Sequence, residues 1–334
     1  MSEAPIVHGG GIAAAAALYG GAPSDWLDLS TGINPCPPPL PPIEPAAWQR
    51  LPDAHLFEAA RRAAHSFYGA GHCLPLPVPG TQSVIQLLPA LSKSPHAAIL
   101  SPTYGEYGRV LRTSGIGVDA VASLDDITPA HGLVVVVNPN NPDGRHHTPE
   151  ALLQLHARMR AWGGMLVVDE AFGDTRPEGS VAAHAGDLAG LLVFRSFGKF
   201  FGLAGLRLGF VLGEAVVLAE IADRLGPWAV SGPALAIAEA LLSSDTAAIR
   251  NNILQRKQAL DGVLAESGLR IAGGTDLFTL VHVGDAAVLH ERLCRHHILV
   301  RRFDYDPHWL RFGLTPDAAA DRRLAAALSA SLAA

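Results

Sequence analysis

Lysine is nearly absent from this chain: of 25 lysine and arginine residues in 334, only Lys93, Lys199 and Lys257 are lysines. Arginine stays protonated in proteins, whereas a lysine amine can lose its proton and attack a carbonyl, so each lysine in an arginine-rich chain merits inspection. Cysteine is also scarce. Cys36, Cys73 and Cys294 are odd in number and far apart, and they fit neither a zinc spacing nor a disulfide framework. No apolar run approaches the roughly 20 residues of a membrane span; Leu133–Val137 and Met165–Val168 are typical in length. The net charge of -6 gives no basic footprint for nucleic acid. Residues 1–11 show no basic segment leading into an apolar core, so no secretory signal is expected. These absences predict a cytoplasmic protein without metal, membrane or nucleic-acid partners.

What is present is a globular composition, 49% hydrophobic and 17% charged, with enough chain for a large buried core. Short apolar runs recur at Ala97–Leu100, Val118–Ala122, Leu133–Val137, Met165–Val168, Leu191–Phe194 and Leu208–Leu212. Runs of this kind between Gly, Pro and Asn read as strands buried on both faces. Helical patterns at Leu56–Tyr68 and Pro149–Trp162 alternate with them, which predicts an α/β fold on a mostly parallel sheet. Past Trp228 the texture changes. A long helical stretch, 233–267, precedes strand-like Leu269–Ala272, Phe278–Val283, Ile298–Phe303 and Trp309–Leu314, with helical Ala286–His296 and Pro316–Leu332 interleaved. The expected division is a large domain over 35–230 and a smaller α/β domain over 231–334, with residues 1–34 packing against the smaller one.

Ligands of open parallel sheets bind beyond the carboxyl ends of the strands, so the residues after each run matter most. Asn138-Pro139-Asn140-Asn141-Pro142-Asp143-Gly144 follows the third run, Asp169-Glu170-Ala171-Phe172 the fourth, and Arg195-Ser196-Phe197-Gly198-Lys199 the fifth. Singly these read as a turn, a helix cap and a surface charge. Together they bring an amide, a carboxylate and a lysine to one sheet edge. Lys93 lies in a polar connection and Lys257 in a helical run, both settings of solvated charges; Lys199 sits among glycines and phenylalanines. A second group suits a phosphate. Gly80-Thr81-Gln82-Ser83 opens a helical run, Ser196 offers a hydroxyl, and Arg207 follows a glycine-rich loop. Read alone, Gly-Thr-Gln-Ser is also an ordinary helix cap.

These motifs resemble the fold-type I aminotransferases, enzymes that carry pyridoxal 5′-phosphate (PLP) on a lysine. Ser196-Phe197-Gly198-Lys199 with Arg207 eight residues on looks like the family's lysine motif, Asn138–Gly144 its Asn-Pro-x-Asn-Pro-x-Gly element, and Asp169–Phe172 its Asp-x-Ala-Tyr/Phe element. Pro102–Tyr107 resembles the segment that carries the ring-stacking aromatic, here Tyr104, and Trp309–Phe312 that of the carboxylate-binding arginine, here Arg311. The likeness runs from about Ser30 to Leu314. It implies a Schiff base on Lys199, which an apolar pocket helps to deprotonate. Asp169 would pair with the ring nitrogen and keep the ring an electron sink. Asn141 would bond the ring hydroxyl, Tyr104 would cover the ring, and Gly80, Thr81, Gln82, Ser196 and Arg207 would hold the phosphate. Two positions depart from the usual pattern. Phe172 lacks the hydroxyl many relatives direct at the ring oxygen, and Leu51 replaces a tyrosine that reaches the partner subunit's phosphate.

Within the family, His8-Gly9-Gly10 and Leu29-Ser30-Thr31-Gly32-Ile33-Asn34-Pro35 resemble threonine-phosphate decarboxylases of cobalamin synthesis, cousins of histidinol-phosphate aminotransferases. Ile298–Arg302 resembles the segment with an arginine for the substrate's phosphate, matching at Arg301, with a surface arginine at a strand end as the alternative. The resemblance implies decarboxylation of L-threonine O-3-phosphate by a homodimer, with His8, Gly32, Asn141, Arg301 and Arg311 at the substrate. Transamination of a phosphorylated amino substrate uses the same residues. A PLP-sensing regulator of this fold would carry an added DNA-binding segment, whereas this chain is acidic and its fold is expected to begin near residue 8.

Overall fold

A computed structural model describes Ile6 and residues 8–333. The chain forms two compact units. The first comprises Pro38–Asn141 and Arg145–Thr246; the second comprises the segment ending at Pro37, Pro142–Gly144, and the chain from Ala247 onward. The expected boundary at residue 230 differs from this by one helix. Gly232–Leu242 buries Ala234, Leu235, Ile237, Ala238, Leu241 and Leu242 and packs on helix Ala54–Tyr68 of the first unit. The single helix expected over 233–267 is two helices, Gly232–Leu242 and Ala247–Glu266. Ser243, Ser244, Asp245 and Thr246 fall at the break, and such side chains compete for backbone hydrogen bonds.

Strand β1 (Leu27–Leu29) belongs to the second unit. Next come β2 (Leu76–Val78), β3 (His96–Leu100), β4 (Gly117–Val121), β5 (Leu133–Val137), β6 (Met165–Asp169), β7 (Leu191–Ser196) and β8 (Gly209–Leu212), which form one sheet in the order 2-8-7-6-5-3-4. Strands β3 to β7 pair in parallel, and β8 runs antiparallel to both β7 and β2. β5, Leu-Val-Val-Val-Val, is buried throughout, as β-branched residues covered on both faces should be. β2 was not expected: its Pro77 reads as a strand breaker, yet the strand has one neighbour only and tolerates a missing donor.

Chain order reverses between β3 and β5, the kind of switch point at which such sheets bind ligands. The register there is tight. Val137 pairs with Asp169, Asp169 pairs with Phe194, and Asn138 N–H donates to the Asp169 carbonyl at 2.8 Å. The ends of β5, β6 and β7 are therefore level.

In the second unit, β9 (Arg270–Thr275), β10 (Phe278–His282), β11 (Ile298–Phe303) and β12 (Asp306–Gly313) join β1 in the order 1-11-12-10-9. β1 lies parallel to β11, and the other pairings are antiparallel.

Candidate active site

At the level strand ends of the first unit lies a cavity of about 190 Å³. Gly80, Thr81, Gln82, Tyr104, Asn141, Asp169, Phe172, Ser196, Lys199 and Arg207 all line it, so ten residues singled out from sequence share one space. A larger hollow of about 370 Å³ beside Phe57, Pro77 and Trp228 has no lysine, arginine or histidine in its lining and offers no comparable chemistry.

Asp169 is buried at the end of β6, and its two oxygens have separate donors. Tyr107 Oη donates to Oδ2 at 2.7 Å and Ala171 N–H to Oδ1 at 3.0 Å. Burial pushes this carboxyl above the usual carboxylate range, against the pull of Tyr107, Ala171 N–H and Lys199, while Glu170 adds to the rise. Lys199 stands on the short helix Phe197–Phe200, seated by the buried Phe197 and Phe200, and its Nζ is 5.5 Å from the Phe172 ring centroid. An acid and an amine thus face one space with apolar walls.

Tyr104 is held by its hydroxyl, which donates to Gln82 Oε1 at 3.1 Å, while Gln82 Nε2 donates to Glu106 at 3.1 Å. Both ends of the Gln82 carboxamide are engaged, which leaves its backbone N–H as the group it could offer an anion. Burial, helped by the Glu106 and Asp169 charges, pushes the Tyr104 phenol up to about 12, so it remains protonated at neutral pH.

Backbone shape defines an anion cradle. Gly80 has φ +68°, and a Cβ there would meet the Arg207 guanidinium at 3.1 Å; one on Gly209 would press on the Thr81 N at 2.9 Å. Arg207 itself has φ +52°, a costly conformation for a non-glycine residue and one that clusters at functional sites. Hydroxyls from Thr81 and Ser196, a guanidinium and close-approach glycines form a donor set that suits a phosphate ester. With the buried acid and the amine, these groups fit PLP: an acid for the ring nitrogen, an amine for the aldehyde, an aromatic for the ring face and a cradle for the phosphate.

The remaining expected residues lie in the second unit. Arg301 and Arg311 are direct partners across the β11–β12 ladder. Arg311 is 6% exposed, donates to the Ser30 carbonyl at 2.8 Å, and has its guanidinium carbon 4.9 Å from the Phe278 ring centroid. Burial and then the Arg301 charge push it down to about 10, so it is still a cation at neutral pH. Gly32 is buried in the loop after β1, where a Cβ on Gly313 would meet the Thr31 carbonyl at 2.1 Å. His8 is exposed at the start of a segment whose Gly10 N–H donates to Ser30 Oγ at 2.7 Å.

Sequence reasoning missed Tyr107 and a charge cluster. Arg195, 2% exposed, is paired with Glu170 and Asp174, and its guanidinium carbon is 4.6 Å from the Tyr68 ring centroid. Burial alone would lower this guanidinium; the Asp174 and Glu170 charges reverse that and raise it. The available signal was a charged residue on each of two strand ends directly beside a site residue.

Residues 43–328 match the family described as aminotransferase class I and II. The chain is 62% identical, over 98% of its length and 98% of the other's, to a threonine-phosphate decarboxylase from a Sinorhizobium species. It is 43% identical, over 97% of both, to a threonine-phosphate decarboxylase from Pseudomonas aeruginosa. A solved structure of histidinol-phosphate aminotransferase from Sinorhizobium meliloti in complex with pyridoxal-5′-phosphate covers 97% of this chain and 95% of its own, at 20% identity with a TM-score of 0.80. At that identity the likeness concerns the fold.

Proposed function

This chain belongs to the class I and II aminotransferase family, and from that premise we propose that it is a PLP-dependent decarboxylase of L-threonine O-3-phosphate. Its products are (R)-1-aminopropan-2-yl phosphate and carbon dioxide, a step of cobalamin biosynthesis. The observation that carries this reading is the near full-length likeness to two threonine-phosphate decarboxylases.

PLP, when bound, supplies an aldehyde for the substrate amine and an electron-poor ring that accommodates the electron pair left at Cα. The chain's residues supply the rest. Asp169, buried at the end of β6, would meet a protonated ring nitrogen as a negative charge. Lys199 holds the coenzyme between turnovers and afterwards delivers a proton to Cα, replacing the carbon dioxide lost. Tyr104 would cover the ring face, Asn141 would bond the ring hydroxyl beside Phe172, and Gly80, Thr81, Gln82, Ser196 and Arg207 would hold the coenzyme phosphate. We assign the substrate's two anions to the paired arginines, the carboxylate to Arg311 with the Gly32 backbone and the phosphate to Arg301, with His8 beside it. An arginine lowered by burial and a like charge gains most from an incoming anion, which supports that assignment.

The reading extends to a cytoplasmic homodimer. Five large apolar side chains of the first unit, Leu40, Trp48, Leu51, Val216 and Trp228, stay more than half exposed, as core residues of an unpaired interface would. A monomeric mass by light scattering at full coenzyme occupancy would contradict the dimer.

The reaction is tested by giving the purified protein PLP and carboxyl-labelled threonine phosphate and counting released carbon dioxide. Rapid release is expected. Much faster turnover of histidinol phosphate with 2-oxoglutarate would make the protein an aminotransferase instead.

A further inference from the structure

Tyr107 is fully buried at the start of helix Glu106–Thr113, and none of the roles above uses it. We propose that Tyr107 is a positioning residue for Asp169: its hydroxyl fixes the direction of the carboxylate and keeps it an anion inside an apolar wall. This rests on the PLP reading, in which Asp169 must meet the ring nitrogen as a charge and at a set angle.

The geometry is specific. Oδ1 is tethered by Ala171 N–H of its own strand end and Oδ2 by Tyr107 from a different element, so rotation of the carboxylate breaks one bond or the other. Three side chains act on its charge: Tyr107 from helix Glu106–Thr113, Lys199 from helix Phe197–Phe200, and Glu170, next in the chain; the Tyr104 phenol, in the turn before the helix, is itself raised by the Asp169 charge. Burial works against the anion and Glu170 adds repulsion; among the opposing influences the Tyr107 hydrogen bond is the largest. Tyr107 is itself a very weak acid there, raised by burial and then by the Asp169 charge, so it donates its hydrogen bond without giving up its proton. Its ring also meets the Tyr104 ring edge-on, with centroids 6.2 Å apart at 84°. Two tyrosines three residues apart thus serve the acid and the ring face separately.

The test uses coenzyme-free protein labelled with γ-¹³C aspartate, in which the Asp169 resonance is identified by its loss in Asp169→Asn. In Tyr107→Phe its titration midpoint should rise by about one pH unit, the scale of one hydrogen bond to a buried charge. An unmoved midpoint in a folded variant overturns the proposal, whereas a merely structural tyrosine would leave the midpoint in place. If Tyr107→Phe does not fold, the same measurement on wild type grown with 3-fluorotyrosine replaces it. A fluorinated phenol is a stronger donor and should lower the midpoint; no change overturns the proposal. Borohydride reduction of the PLP-treated protein separates the two ideas. A moving midpoint without a fixed adduct on Lys199 removes the coenzyme reading and leaves the Tyr107–Asp169 coupling standing. An adduct with a fixed midpoint removes the coupling alone.

Discussion

Arg195 in the first unit and Arg311 in the second are both almost fully withdrawn from water, and their surroundings treat the charge oppositely. Arg195 is enclosed by Glu170 and Asp174, which raise it despite burial. Arg311 has Arg301 as its ladder partner, and burial plus that like charge lower it. A buried cation neutralised by its own chain is part of the framework, because removing it leaves buried carboxylates without a counter-ion. One set beside another cation keeps its attraction for an anion that arrives from outside. The lysines differ in setting: Lys257 pairs with Asp261 one helical turn away, and Lys199 lines the cavity near Phe172, where its charge favours the Asp169 anion.

The lysine pair gives the largest expected difference. Lys199→Ala should reduce turnover by about 10⁴-fold or more and abolish the borohydride-fixed adduct, while Lys257→Ala should shift urea unfolding by no more than about 0.5 kcal/mol. Equal losses in both variants would erase the distinction. Arg195→Met should cost about 3–5 kcal/mol of stability by denaturant unfolding. Adding Glu170→Gln and Asp174→Asn should recover part of that, since the stranded charges go with the cation; a triple variant weaker than the single one would argue against a neutralised framework. Arg311→Met should do the converse, with kcat/KM for threonine phosphate falling by about 2–4 kcal/mol, and stability by about 1 kcal/mol or less. Arg301→Ala comes last: the Michaelis constant for the phosphorylated substrate should rise about tenfold, with kcat changing less. An unchanged constant would take Arg301 out of the site.

The sequence was most legible where one physical cause dominates. Val134–Val137 has no use except as a doubly covered strand, so the sequence alone places the residues after it, after Val168 and after Phe194 at one edge. Legibility failed where partners are distant in the chain. Nothing local reveals that the Tyr107 hydroxyl reaches Asp169, 62 residues away, or that Arg195 spans to Asp174, 21 away. Gln82 lines the cavity as its place after Gly80 and Thr81 suggests, but nothing local reveals that its carboxamide bonds Tyr104 and Glu106, a pairing set by tertiary packing. Pro77 hid β2 because local propensity cannot report that the strand has a single neighbour.

The pairing of Val137 with Asp169 and of Asp169 with Phe194 also has a bearing on how this protein could tolerate insertions. Neighbouring residues of a strand look to opposite faces, so a slip of one position in β6 or β7 would exchange Asp169 with Glu170, or Ser196 with Arg195. Tool and strut would trade places, and the molecule would lose its chemistry and its ballast at a single stroke. Loops at the far ends of these strands can lengthen without that penalty; the last few residues before Asn138, Glu170 and Phe197 cannot change in number at all.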